Sequence, residues 1–165
     1  MALNRSASQD EAAIDSPDRR RLPLLLRRAW YGLNQAFRRR IAHLGLTPDQ
    51  FTVMRTLLEK EGMTQRELAQ AMTSDANTIA ALVNRMELAG LTQRRPHEKD
   101  RRARRLYLTQ PGRRKYSEAR AIAVAMQAEV LSVLPPQVRE RFLTELDTVA
   151  AACRRAADRP QGTKK

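Results

Sequence analysis

From Leu22 onward, apolar residues recur every three or four positions: Leu22, Leu26, Trp30, Leu33, Phe37 and Ile41. That spacing lines one face of a helix. Arg27, Arg28, Arg38, Arg39 and Arg40 fall mostly off the stripe, and Gly45 marks its end, so the pattern predicts a helix over 22–45. A second helix is announced by Thr47 as its cap, Pro48 in its first position and Gln50 completing a capping box. Its apolar side carries Phe51, Met54, Leu57 and Leu58, and Gly62 ends it.

The same grammar then appears twice in quick succession. Thr64 caps a short helix with Glu67 reaching back, and Leu68, Ala69 and Met72 form its buried side. The residues "TSD" break it, with Ser74 or Asp75 placed to cap another helix. That helix buries Ile79, Leu82, Val83 and Met86 and stops at Gly90. Two short helices joined by a tight turn describe a helix-turn-helix.

After Gly90, "LTQRR" and "RRLYL" read as two short strands. In the second, alternation sends Leu106 and Leu108 to the core and Arg105 and Tyr107 outward. A hairpin beside a helix-turn-helix is a wing. Thr109 then caps a long helix with Pro111 in its first turn, carrying Ile122, Met126, Val130 and Val133 at helical spacing. "LPP" at 134–136 interrupts it, and a final helix runs to about Ala157 with Val138, Phe142, Leu146, Val149, Ala150 and Cys153 as its stripe. Cys153 therefore reads as a small buried residue.

The predicted fold class is mainly α with a small β-hairpin. A winged helix-turn-helix domain (47–112) stands between an N-terminal dimerisation helix (22–45) and C-terminal dimerisation helices (113–157). Residues 1–18 and 158–165 are polar and read as disordered tails. One small winged domain offers too little surface to bury the stripes of the first helix and the last two. The same helices of a second copy would cover them, which predicts an intertwined two-fold homodimer.

Charge narrows the partner. The chain of 165 residues carries a net +13, and seven Lys/Arg against two acids crowd residues 94–105. Double-stranded DNA is the favoured polyanion, ahead of a membrane surface. Aromatic residues make up only 4%, too few for stacking platforms along a single strand. The lone Cys153 excludes an internal disulfide and suits the cytoplasm. No apolar run is long enough for a membrane span, and the N-terminus lacks an apolar signal core. The sequence presents no spaced metal-ligand set, no phosphate-cradling glycine loop and no nucleophile–base pair, so neither a cofactor nor catalysis is expected.

Several residues are candidates for DNA. Gln65 and Arg66 open a helix, whose N-terminus favours phosphate. Arg85 lies two turns into the second helix of the pair. Arg94, Arg95, Arg104 and Arg105 flank the hairpin tip, and about half of them are expected to touch phosphate, the others being solvated basic surface. At the tip, Asp100 can brace Arg102, and an arginine suits a narrow A·T-rich minor groove.

Taken together and in order, "ELA", "NRMELAGL", "DRR" and "LTQPG" resemble the MarR family of bacterial transcription regulators over 47–112. The resemblance implies a homodimeric repressor on palindromic operator DNA, released by a small aromatic or phenolic effector. It places Asn77 and Thr78, with Ser74 beside them, at the DNA, Arg102 in the minor groove and Asp100 behind it. Trp30, His43 and Phe51 become candidates to line the effector site. Where the family often has Thr or Arg, this chain has Ala80 and Ala81, which shortens the reach toward base edges. Two other readings stay open: a weakly specific architectural DNA-binding protein, and a redox sensor acting through Cys153.

Overall fold

The structure, a computed structural model, describes residues 21–96 and 104–158. Its elements are α1 (Arg21–Ile41), a 3-10 turn (Ala42–Leu44), α2 (Pro48–Glu59), β1 (Met63–Thr64), α3 (Gln65–Ala71), α4 (Ala76–Leu88), β2 (Thr92–Pro96), β3 (Arg104–Leu108), α5 (Gln110–Leu131) and α6 (Pro136–Asp158). The predicted class is observed: mainly helical, with a small antiparallel sheet. The chain divides into two compact units between Ala123 and Val124, inside α5.

In the first unit the core is built where α1 to α4 meet the sheet. Ile41, Val53, Met54, Leu57, Leu68, Ile79, Val83, Met86 and Leu106 are almost wholly buried there. They come from the predicted apolar faces, with Val53 as an addition and Phe51, Leu58 and Met72 only half-buried. The first helix is shorter than expected: it is α-helical to Ile41, and the 3-10 turn carries the chain to Gly45.

Both capping boxes form as the sequence requires. Thr47 Oγ1 accepts from Gln50 N (3.2 Å) while Gln50 Oε1 accepts from Thr47 N (2.9 Å). Thr64 and Glu67 repeat this at the start of α3. Of the two candidates for the α4 cap, Asp75 takes the role.

The end of α4 is a Schellman motif. Leu91 N donates to Met86 O (2.8 Å), Gly90 N donates to Glu87 O (2.9 Å), and Gly90 sits at φ 69°. Thr109 then ties this turn to α5. Its hydroxyl donates to Gly90 O (2.6 Å) and accepts from Gly112 N (3.1 Å).

The hairpin expectation needs one correction. The sheet has three strands in the order β1-β3-β2, because Met63 pairs with Leu106 and Thr64 with Arg105. Two residues are too short a run to show strand periodicity, so the sequence reads only the cap at Thr64.

The apolar stripes of α1, α5 and α6 stay largely uncovered. Leu22 is 50% exposed, Trp30 64%, Val130 48% and Phe142 43%, while Val133, expected on the long helix, lies beyond its end at Leu131. Cys153, expected to be buried, is exposed, because no element among the described residues of its own unit covers the α6 stripe there.

Candidate nucleic-acid interface

The second helix of the pair, α4, buries Ile79, Leu82, Val83 and Met86. Its opposite side presents Ala76, Asn77, Thr78, Ala81, Asn84, Arg85 and Leu88 to solvent. Ala80, between the two sides, is half-buried. The polar reach of this face thus comes from its first turn and from Asn84 and Arg85.

The first turn is already engaged. Asp75 Oδ1 accepts from Thr78 N (2.8 Å), and the Thr78 hydroxyl donates to Asp75 Oδ2 (2.5 Å). These two bonds, the hydroxyl first, hold the Asp75 carboxyl below the ordinary carboxylate range. The Thr78 hydroxyl proton is therefore committed, and an acceptor on DNA would have to compete with Asp75 for it. Ser74, Thr78 and Arg85 share the lining of one open depression of about 240 Å³ with Asp49, Met72, Thr73, Ile79 and Leu82. Asn77 and Arg66 are exposed.

The wing divides its arginines by strand parity. In the β2–β3 ladder, Thr92 pairs with Leu108 and Arg94 with Leu106, so Thr92 and Arg94 lie on the core-facing side. Arg94 accordingly turns inward. Its guanidinium meets Glu87 Oε2 through Nη1, donates through Nη2 to Asn84 Oδ1 (2.7 Å), and reaches Gln65 Oε1 (3.5 Å). Its backbone N–H donates to Glu87 Oε1 (3.1 Å). Gln65 also donates to Ala76 O (3.5 Å), so it bridges the two helices of the motif.

On the other side of the sheet, Arg95 stands directly opposite Arg105. Like charges placed so are unfavourable, and each is drawn to a separate partner. Arg95 lies over the Tyr107 ring, 5.1 Å from its centroid. Arg105 donates to the Gly62 carbonyl and is only half-exposed, with its Nε buried. The expectation that Arg105 and Tyr107 simply point outward is thus corrected: both fold back over the Gly62 turn. Arg104 remains exposed at the start of β3. Asp100 and Arg102 lie outside the described residues.

The three candidates for an effector site are not brought together by any contact. Trp30 and His43 are exposed. Phe51 is half-buried between Phe37, edge-on at 4.9 Å, and Tyr116, stacked at 5.2 Å. Sequence reading missed Tyr116, which stands nearly two helical turns into α5, in step with the buried Ala119 and Met126. It also missed the link from Glu87 and Asn84 to Arg94, although strand parity carries that signal.

Among the described residues no three His, Cys, Asp or Glu cluster to hold a metal, and no single helix is long and apolar enough to cross a membrane.

Comparison with known proteins gives this geometry a context. The sequence pattern of the MarR family matches residues 46–103. The transcriptional regulator HosA of Escherichia coli is 32% identical over 124 residues, covering 72% of this chain and 92% of HosA. The transcriptional repressor CouR, solved on a 23-mer DNA duplex, superposes with a TM-score of 0.72 at 30% identity, covering 78% of this chain and 92% of CouR. CouR from Rhodococcus jostii RHA1, solved with p-coumaroyl-CoA, gives 0.70 at 28% identity over 78% and 91% of the two chains. The chain belongs to the MarR family: it is a DNA-binding transcriptional regulator and not an enzyme.

Proposed function

We propose that this regulator is a homodimeric, effector-responsive repressor that reads a palindromic operator in the bacterial cytoplasm. The observation that carries the reading is the solvent-facing side of α4 beside an arginine-lined wing, in a fold shared with a repressor solved on DNA at 30% identity. Each α4 enters a major groove, with the two copies about one helical turn apart. Asn77, Thr78 and Arg85 face the groove. Ser74, Gln65 and Arg66 lie toward the backbone, and Arg95 and Arg104 meet phosphate. The flanking minor groove is assigned to Arg102, with Asp100 as its support.

The homodimer is supported by the uncovered stripes of α1, α5 and α6. A small aromatic or phenolic effector is supported by CouR, which was solved with a p-coumaroyl thioester. Phe51, stacked on Tyr116, supplies aromatic surface it would use, and Trp30 and His43 are the further candidates to line its site.

The test is a mobility-shift titration with duplexes from the region beside the protein's own gene, against excess bulk DNA. Retained preference for an inverted repeat is expected, and Arg102→Ala should weaken it. Loss of all preference would favour a weakly specific architectural role. Ala80 and Ala81 lend that second reading its support, because they offer no polar reach in the middle of α4.

A further inference from the structure

We infer that Arg94 is a positioning residue and not a phosphate contact: it locks the wing to α4 and sets the orientation of Asn84 on the DNA-facing side. The inference deepens the proposed operator reading and rests on it.

Three elements meet at this one guanidinium. Arg94 stands on β2, Glu87 in the last turn of α4, Asn84 one turn earlier, and Gln65 at the start of α3. Glu87 takes both the Arg94 side chain and its backbone N–H, which fixes the strand as well as the side chain. A guanidinium has five donors in a rigid plane. Here that plane is turned toward three acceptors of its own chain, at Glu87, Asn84 and Gln65. The ion pair is also partly shielded, with side-chain exposures of 26% for Arg94 and 36% for Glu87. It is therefore less screened than a fully exposed pair.

Recognition is affected in two ways. The wing and α4 must approach neighbouring grooves at a fixed mutual angle, and these polar contacts join β2 to the DNA-facing helix. Asn84 is the second. Its Oδ1 is held by Arg94, so its amide nitrogen, a donor, is left toward solvent. Such a donor fits the N7 of either purine and the O6 of guanine, which are acceptors in the major groove. Past Ala80 and Ala81, Asn84 is a side chain with both reach and a fixed orientation.

A double-mutant cycle separates this role from phosphate contact. Glu87→Gln, Arg94→Gln and the double variant would be titrated against an operator duplex and a scrambled duplex over a range of salt. Positioning predicts that each single change cuts the operator-over-scrambled preference about tenfold and that the double costs no more than either alone. The salt slope on scrambled DNA should stay at the wild-type value in Arg94→Gln. Arg94→Lys, which keeps the charge but loses the planar fork, should fail to restore the preference.

Independent phosphate contact predicts the reverse, and finding it would overturn the inference. Glu87→Gln would then tighten binding by removing a negative charge near DNA. Arg94→Gln would lower the salt slope by about one, and the two effects would add. A readout without DNA keeps the lock testable by itself: amide exchange at Arg94 should quicken in Glu87→Gln at an unchanged thermal midpoint. Unchanged exchange would sink the lock. Absence of operator preference in the wild-type protein would sink the operator reading instead.

Discussion

Gly112 and Leu91 approach so closely that a β-carbon on Gly112 would lie 2.2 Å from the Leu91 carbonyl oxygen and 3.1 Å from its carbonyl carbon. The obstacle is backbone, and it is pinned. The same Leu91 oxygen accepts from Thr109 N (3.1 Å), and Leu91 N is held by Met86 O in the α4 terminus. The first turn of α5 can therefore reach the end of α4 only through a residue without a side chain.

Gly112→Ala should accordingly destabilise the first unit by about 1–3 kcal/mol, the usual cost of forcing an extra carbon into a filled space. For a chain of this size that is a fall of roughly 2–4 °C in Tm per kcal/mol. Thermal unfolding by circular dichroism reads it directly, and a midpoint equal to that of the parent would refute the contact. Gly90→Ala is a useful comparison, since only the left-handed φ of 69° opposes it and no atom lies within 4 Å.

Glu67 gives a pH prediction. The Thr64 backbone N–H (2.7 Å) and then its hydroxyl (2.9 Å) hold the carboxyl down at about 2 from the ordinary 4.5, with Lys60 assisting at 3.5 Å. A carboxylate whose folded pKa lies below its unfolded value stabilises the fold above the unfolded pKa. That contribution is lost as pH falls from about 4.5 to about 2. Glu67→Gln should therefore be less stable than the parent at neutral pH, and the gap should close across that window. Tm measured from pH 7 down to pH 2 checks it; parallel curves for the two proteins would contradict the assignment.

How much of this fold is legible in the sequence depends on the range of each signal. Caps act over three residues, and Thr47–Gln50, Thr64–Glu67 and Asp75–Thr78 are all readable in the chain and present in the structure. Helical stripes act over a few turns, and those of α2 to α4 mark the core. What escapes is pairing between distant segments. β1 exists because Met63 finds Leu106 across 43 positions, and neither residue alone announces it. Arg94 is the instructive case. Its charge suggests DNA, while its register opposite Leu106 turns it inward. Charge reports what a residue can bind, and parity reports which way it faces. At Arg94 the second decides.

Arg104 offers the counterpart to Arg94. It is exposed at the head of β3, opposite Pro96. Arg104→Ala should weaken binding to operator and bulk DNA by a similar factor and lower the slope of log affinity against log salt by about one. Fluorescence anisotropy at several salt concentrations measures both. An unchanged slope would remove Arg104 from the interface.

The last prediction concerns assembly. Phe142 and Leu146 project from α6 at 43% and 38% exposure, and Val138 adds 37%. They are spaced by four residues, so they form a continuous ridge. A ridge this apolar is favoured out of water by about 25 cal/mol per Å² once covered, and a two-fold partner covers it with its own copy. Phe142→Asp places a charge in that ridge. Because Phe142 is substantially exposed in the single chain, the variant should keep its helical signal while sedimenting as a monomer. A monomer reads one half-site at a time, so operator affinity should fall by about a hundredfold or more through lost avidity. Arg141→Ala is the control, since Arg141 pairs with Glu145 along its own helix at 2.7 Å and lies off the ridge. If Phe142→Asp still sediments as a dimer with full operator affinity, the α6 ridge is not the surface that joins the two copies.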